Sequence, residues 1–465
     1  MSSSEQPRSA AAERRPEVPF VVIPDTPSVL VSVTDEAMKE VAHGMGTIET
    51  TVTPGIYRIE QRFAGAVASQ LVEVGTAAFT ARLPLPRIPA PAPVERTATT
   101  QAAHREATLR WSRESTHRRG RPSLMVLLRN LRRGWRFDPY ALQITAGGGA
   151  AVDGGEPGWR ADPQQGWAAW SGRLAPGGYR LRLREPTGEG LPLAQALWVS
   201  EGWTTLVFVG NGPYGPQPQD ATVEMAPLGT GWRPADEALN LAREAALSGL
   251  RQGIDLTSDR QLFPMLDSGR PDSGRLDSGR LDPFLGIVGA HAMLLDRAPD
   301  LRRLDEVVQS LAPHIPGHPD LAALRTLLDG TPPQVTSPPM LAASCQLLIR
   351  ADGADPGVIK DGSMAESVAE HLVGRGVWTT WLEEERRPAS GSRSVLAGGP
   401  TGPRPSVADP VGRVQAYVRE IAHLADKPVE EVLRDVPREE LCRRTGLPHR
   451  PVDRAIEGLR GVEEG

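Results

Sequence analysis

One phrase occurs twice in this chain and limits what its front half can become. Thr53-Pro54-Gly55-Ile56-Tyr57-Arg58-Ile59 returns as Ala175-Pro176-Gly177-Gly178-Tyr179-Arg180-Leu181. Proline fixes φ near the value that the first central residue of a turn needs, and glycine tolerates positive φ at the next, so each copy opens on a tight turn. After the turn, tyrosine and the Ile or Leu two positions on project to one face of a strand. Each copy then leads to a second apolar run, Leu71-Val72-Glu73-Val74-Gly75 and Leu197-Trp198-Val199-Ser200-Glu201-Gly202. A turn, a Tyr-led strand and a return strand, used twice, predict two β modules that display or hold something.

The phrase resembles the Pro-Gly-x-Tyr-x-apolar turn of small bacterial β-sandwich modules, the carboxypeptidase-regulatory-like and PEGA-type domains, over about thirty residues per copy. That resemblance implies structural or adhesive appendages that do not catalyse. Residues 121–150 do not align visibly with 20–50, so the likeness of the two modules rests on the turn and its two strands.

The chain has 465 residues, long enough for two to four domains, because single cores stop growing near 250–300 residues. Apolar residues make up 39%, and 48 Gly with 44 Pro approach a fifth of the chain, a mix expected of folded modules on loose connectors. A net charge of −5 makes neither nucleic acid nor membrane an obligatory partner. Lysine occurs only at 39, 360 and 427, which fits a GC-rich coding sequence. Cys345 and Cys442 fall in separate helical regions, against a disulfide framework. Residues 1–20 lack an apolar signal segment, and the longest apolar stretch, 284–295, is too short to span a bilayer. A cytoplasmic address is expected.

The organisation expected is multidomain α+β: two N-terminal antiparallel β-sandwich-like modules, a helical domain and a small C-terminal helical domain. Residues 1–18 read as a disordered tail. Residues 19–86 are β module 1, with strands at 20–23, 29–33, 48–52, 57–63 and 71–74 and a short helical insertion at 35–42. Residues 87–120 are a linker, Pro-rich and then Arg-rich. Residues 121–227 are β module 2, with strands at 124–128, 139–145, 167–174, 179–183, 193–199 and 204–209, and with Trp159, Trp167, Trp170, Trp198 and Trp203 serving mostly as packing. Residues 234–385 show helical spacing at 238–250, 283–298, 301–311, 319–328 and 338–350. Pro319 and Pro338 stand at first-turn positions behind His318 and Ser337, of which Ser337 is the better cap. The five-residue repeat Asp-Ser-Gly-Arg at 267–280 lies in a solvated loop, 257–282. Residues 386–406 form a second linker, and 407–461 a compact helical tail.

The tail carries the sharpest functional pattern. A helix ending at Arg443-Arg444-Thr445-Gly446, a tight turn and a second helix at 449–459 look like a helix-turn-helix. In that family Gly446 would hold the turn while His449, Arg450, Asp453 and Arg454 faced the groove. Against it, residues 411–461 hold ten Arg/Lys and nine Asp/Glu, and phosphate neutralisation supplies most nucleic-acid affinity. Arg443, Arg444, His449, Arg450 and Arg454 are the candidate partner- or DNA-contacting residues, with protein docking favoured. A second basic window, 104–136, contains ten arginines and resembles a single-strand groove, or else arginines flanking a strand and a linker.

Nothing in the sequence converges on acid–base chemistry, metal or cofactor. Gly210-Asn211-Gly212-Pro213-Tyr214-Gly215 has dinucleotide-motif spacing, but Pro216 and Pro218 forbid the helix it requires, so it reads as a loop. His314 and His318 are two ligands where a closed zinc site takes about four, and His291 reads as an interior residue. No catalytic, metal or cofactor-binding residue is expected. The expected function is a non-enzymatic cytoplasmic scaffold or adaptor for a protein partner; the arrangement resembles uncharacterised bacterial accessory proteins of multi-gene systems. A DNA-binding regulator is the alternative, and an enzyme with a site between the second β module and the helices is a third reading.

Overall fold

The computed structural model describes residues 16–63, 65–88, 90–95, 97, 102–117, 121–130, 142–147, 152, 159–183, 193–212, 215–233, 237–253, 282–328, 334–372, 376–382, 410–425 and 427–461. The chain divides into two compact units, Met1–Pro89 and Ala90–Gly465.

The first unit is a sandwich of seven strands: β1 (Val18–Pro24), β2 (Leu30–Thr34), β3 (Glu40–Met45), β4 (Ile48–Val52), β5 (Gly55–Phe63), β6 (Ala66–Val74) and β7 (Phe79–Leu83). They form two sheets, β4-β1-β7 and β3-β2-β5-β6. Alternation along each strand places Phe20, Val22, Val31, Val33, Ile59 and Phe63 in the core. Phe20 bridges the sheets, its ring 5.8 Å from that of Tyr57 and stacked on Phe79. The helix expected at 35–42 is absent. Asp35 Oδ1 accepts from the amides of Ala37 and Lys39, closing a side-chain turn with Met38 at φ 61, and β3 follows at once.

The second unit opens on α1 (Ala102–Thr116), inside the segment expected to be linker. Its buried face includes Ala107 and Trp111, which pack with Met125, Leu127, Trp167 and Phe208. Arginine-rich composition hid this helix, because its apolar side is narrow. Eight strands follow among the described residues: β8 (Leu124–Asn130), β9 (Leu142–Ala146), β10 (Arg160–Asp162), β11 (Trp167–Gly172), β12 (Gly177–Leu183), β13 (Leu193–Val199), β14 (Trp203–Gly212) and β15 (Gly215–Pro227). The glycine motif at 210–215, expected as a loop, joins β14 to β15, with Gly212 paired to Gly215. Pro216 and Pro218 are tolerated because β15 is an edge strand.

Among the described residues six helices come next: α2 (Glu237–Gln252), α3 (Pro283–Met293), α4 (Leu301–Leu311), α5 (Pro319–Arg325), α6 (Ala342–Ala354) and α7 (Met364–His371). His318, not Ser337, caps a helix: its Nδ1 accepts from the Asp320 amide at 3.3 Å, while α6 starts four residues after Pro338. The helical region also returns a strand, β16 (Thr380–Leu382), which pairs antiparallel with β13. Trp378 anchors that return, stacked on Phe284 and donating to the Ala221 carbonyl at 2.7 Å. Helices and second sandwich therefore share one core. The tail contains α8 (Pro410–Ala425), α9 (Val429–Asp435), α10 (Arg438–Thr445) and α11 (His449–Gly461) around Val414, Val418, Leu441, Val452 and Ala455. Gly446 caps α10 at φ 66, the left-handed conformation that glycine adopts without penalty. The Asp-Ser-Gly-Arg repeats and the 386–406 linker lie outside the described residues.

Both sandwiches follow one chain path. Sheet β4-β1-β7 corresponds to β11-β8-β14, and β2-β5-β6 to β9-β12-β13. In each, the first and last strands of the path run parallel, β1 with β7 and β8 with β14, and the remaining pairs are antiparallel. Register agrees as well: Gly55 opposes Val74 and Tyr57 opposes Val72, as Gly177 opposes Val199 and Tyr179 opposes Leu197. On the other flank Arg58 opposes Thr34, and Arg180 opposes Thr145. The added edge strands differ: β3 joins β2 in the first sandwich, whereas in the second β10 joins β11, β15 joins β14 and β16 joins β13.

Candidate functional site

Three of the tail residues singled out in the sequence, His449, Arg450 and Arg454, bind other parts of their own chain. His449 sits 2.5 Å from Asp352 of α6 through Nδ1, and Asp352 also accepts from the amides of Gly357 and Ile359. Arg450 reaches both Glu366 carboxylate oxygens at 3.1 Å, and Arg454 donates to Glu370 at 2.6 Å, both on α7. Burial raises the Glu370 carboxyl, and Arg454 opposes that shift. Cys442 of α10 lies against Gly353, where an added Cβ would stand 2.9 Å from the cysteine Cβ. Arg444 is bound within its own helix to Glu440, at 2.6 Å. The Arg443 side chain lies outside the described residues.

In the basic window, Arg129 is buried on β8, and burial pushes its guanidinium down to about 9. Residues 118–120 and 131–140 lie outside the described residues. Among the described residues no group of three or more His, Cys, Asp or Glu could hold a metal ion. His318 is fully buried, and burial pushes it down to about 3, so it is a neutral cap. His291 is likewise interior, within 2.6 Å of Ser344 Oγ.

A cavity of about 280 Å3 lies beside His318, lined by Trp198, Ile315, Arg325, Thr336 and Ser337 among others. Trp198 Nε1 and His318 Nε2 have no hydrogen-bond partner among the described residues. Both atoms are closed to solvent, so an occupant would meet them only after side chains move. Deeper in the unit, Arg243 pairs with Glu224 and with Asp282 at 2.8 Å, and Glu244 accepts from Thr222 at 2.9 Å. Burial pushes Glu224 and Glu244 up to about 7 against the pull of Arg243. Asp282 also accepts from the Met225 and Phe284 amides, so this cluster fastens α2 and α3 to β15.

The larger contrast lies on the outward faces of the two corresponding sheets. In the second unit, β13 is covered: Ala194 and Ala196 are fully buried beneath Val368 and Met364 of α7 and Trp381 of β16. Gly178 is so closely overlaid that an added Cβ would stand 2.6 Å from Ser337 Oγ and 3.2 Å from Met364 Cε. The matching positions of the first unit are bare. Ile56, the counterpart of Gly178, is 51% exposed, and Leu71, the counterpart of Ala196, is 73% exposed. Leu30, Met45 and Val67 are exposed on the same face. Arg58, Glu60 and Arg62 run between them, with Glu60 bound to both arginines.

No family model matches this chain, and no curated protein matches it. The open face must therefore be judged on its chemistry. Sequence reading placed the strands there but missed the face, although the signal was present: in Ala66-Val67-Ala68-Ser69-Gln70-Leu71-Val72-Glu73-Val74 apolar residues fall on both alternating sides. Among the described residues no helix is long and apolar enough to cross a membrane.

Proposed function

We propose that this protein is a non-catalytic cytoplasmic adaptor whose first sandwich receives a helix from a protein partner on the outward face of β5 and β6. The observation that carries this reading is the pair of matched sheets, one covered by the chain's own helix and the other bare. Burying a leucine-sized side chain contributes about 1.5–3 kcal/mol, so a face bearing Ile56, Val67 and Leu71 gains substantially from a cover. The cover on the second unit supports the kind of occupant proposed: a helix with apolar residues four apart, as Met364 and Val368 are, laid across the sheet. Arg58 and Arg62 favour acidic residues along its flank.

The non-catalytic part is supported by how the ionisable groups are used. Asp320 holds the Met340 and Leu341 amides at 2.8 and 2.9 Å, Asp352 holds a loop and His449, and Asp282 caps α3. Their lone pairs stabilise backbone. A DNA-reading tail would have to give up the contacts of His449, Arg450 and Arg454, which supports protein docking over the DNA alternative.

The test is affinity capture of the full chain from its native cytosol, with captured proteins identified by mass and then rebound in purified form. Ile56→Glu with Leu30→Glu should lose a partner that the wild type retains, while Arg450→Glu should not. Equal recovery by both variants and the wild type would overturn the reading.

A further inference from the structure

The free edge of β6 supplies a second observation, independent of the sheet face. Among the described residues β6 pairs only with β5, on one side. The corresponding edge of β13 is occupied: Leu193, Ala194 and Gln195 pair with Leu382, Trp381 and Thr380 of β16. Carried across by the shared register, Leu193–Gln195 corresponds to residues 68–70. The same edge accepts a strand in one copy of the sheet and offers bare backbone groups in the other.

Edge strands that stay unpaired are blunted by charge, proline or bulges. The opposite edge of this sheet is: β3 has a register shift at its pairing with Val33/Thr34, contains Gly44, and bears a Glu40–His43 pair at 2.9 Å. The nine residues of β6 include no Lys, Arg, Pro or Gly, and their one charge is Glu73. Only Ala66 and Val74, at its ends, are buried.

We propose that β6 pairs antiparallel with β6 of a second copy of this chain, Gln70 opposite Gln70, joining two four-stranded sheets into one of eight. Pairing positions of like parity keeps the outward residues of both copies outward, which a one-residue slip would not. A two-fold axis through Gln70 makes the contact isologous and closed. It sets Val67 opposite Glu73 and Ser69 opposite Leu71, with Val67 diagonal to Leu71 of the second copy, within reach of apolar contact. A near-neutral strand suits self-pairing, because its charge does not meet itself across the axis. This contact uses the edge and leaves the helix-receiving face open, so it does not rest on the adaptor reading.

Sedimentation velocity of the purified full chain over a range of concentrations tests it. The wild type should show a monomer–dimer equilibrium. Val67→Lys with Leu71→Lys, both at exposed sites, should shift it at least tenfold towards monomer, and Met45→Lys on the β3 edge should leave it unchanged. Register is read separately by oxidative crosslinking. Gln70→Cys should form a disulfide-linked dimer, since Cβ atoms of opposed residues lie about 4.5–5.5 Å apart. Val72→Cys, which faces Ala68, should crosslink far less, and native Cys345 and Cys442 are buried. A monomer at all concentrations, or a dimer indifferent to the β6 substitutions, would overturn the proposal whether or not a partner is found.

Discussion

Tyr57 and Tyr179 make the same bond in two copies of one sheet: each hydroxyl donates to the backbone carbonyl four residues earlier, Thr53 at 2.7 Å and Ala175 at 2.9 Å. The bond pins the Pro-Gly turn to the strand that it opens, and burial raises the Tyr179 hydroxyl pKa in keeping with its neutral donor role. Tyr57→Phe and Tyr179→Phe should each cost about 0.5–1.5 kcal/mol, the net worth of one such bond. Denaturant unfolding measures the cost, and hydrogen exchange assigns each loss to its own sandwich.

Gly178 and Ile56 should not be interchangeable. Gly178→Ala drives a Cβ into Ser337 and Met364, and overpacking of this kind costs about 1–3 kcal/mol. Hydrogen exchange over α7 should accelerate in Gly178→Ala. Truncation of the matching residue, Ile56→Ala, removes an exposed side chain without freeing the backbone and should leave the neighbouring strands nearly as protected as before.

The duplication was only half legible in the sequence. The Pro-Gly-x-Tyr phrase and its return strand are local, so turn chemistry and alternation exposed them. The equivalence of β1 with β8 is not local. β1 lies in a sheet alternating buried and partly exposed residues, whereas every residue of β8 is buried, because α1 covers its outer side. Two strands with one topological place thus carry different patterns, VPFVVIP and LMVLLRN. β16 was illegible for another reason: three residues after a helical stretch carry no period, and only Trp378 and the edge of β13 fix them as a strand. In the tail, the turn at Gly446 was readable from composition. The acidic partners of His449, Arg450 and Arg454 were not, because they lie 84 to 97 residues away.

The tail should stay seated through Asp352 more than through its arginines. Exposed ion pairs contribute little, but Asp352→Ala leaves the Gly357 and Ile359 amides and His449 without an acceptor, at about 1–3 kcal/mol for each buried orphan. The readout is thiol alkylation. Cys442 is buried against Gly353, and burial pushes its thiol up to about 12. Asp352→Ala and Gly353→Val should speed its modification, and Arg454→Ala should not.

Glu244 gives the second unit a pH dependence. Its buried carboxyl holds a proton up to about 7, above the ordinary value of 4.5. Its contribution to stability is fully present below the unfolded value and is lost as pH rises through about 7. Glu224 follows the same course beside Arg243. Unfolding free energy should therefore fall between pH 4.5 and 7, and Glu244→Gln should flatten that slope and raise stability at pH 8.

Covalent footprinting of the purified chain with a photogenerated carbene tests most directly whether one sheet is bare where its counterpart is covered. Ile56, Val67 and Leu71 should be heavily labelled, while Ala194, Ala196 and Leu197 remain unlabelled. Equal labelling of β5–β6 and β12–β13, or protection of Ile56 and Leu71 in the chain alone, would contradict the account.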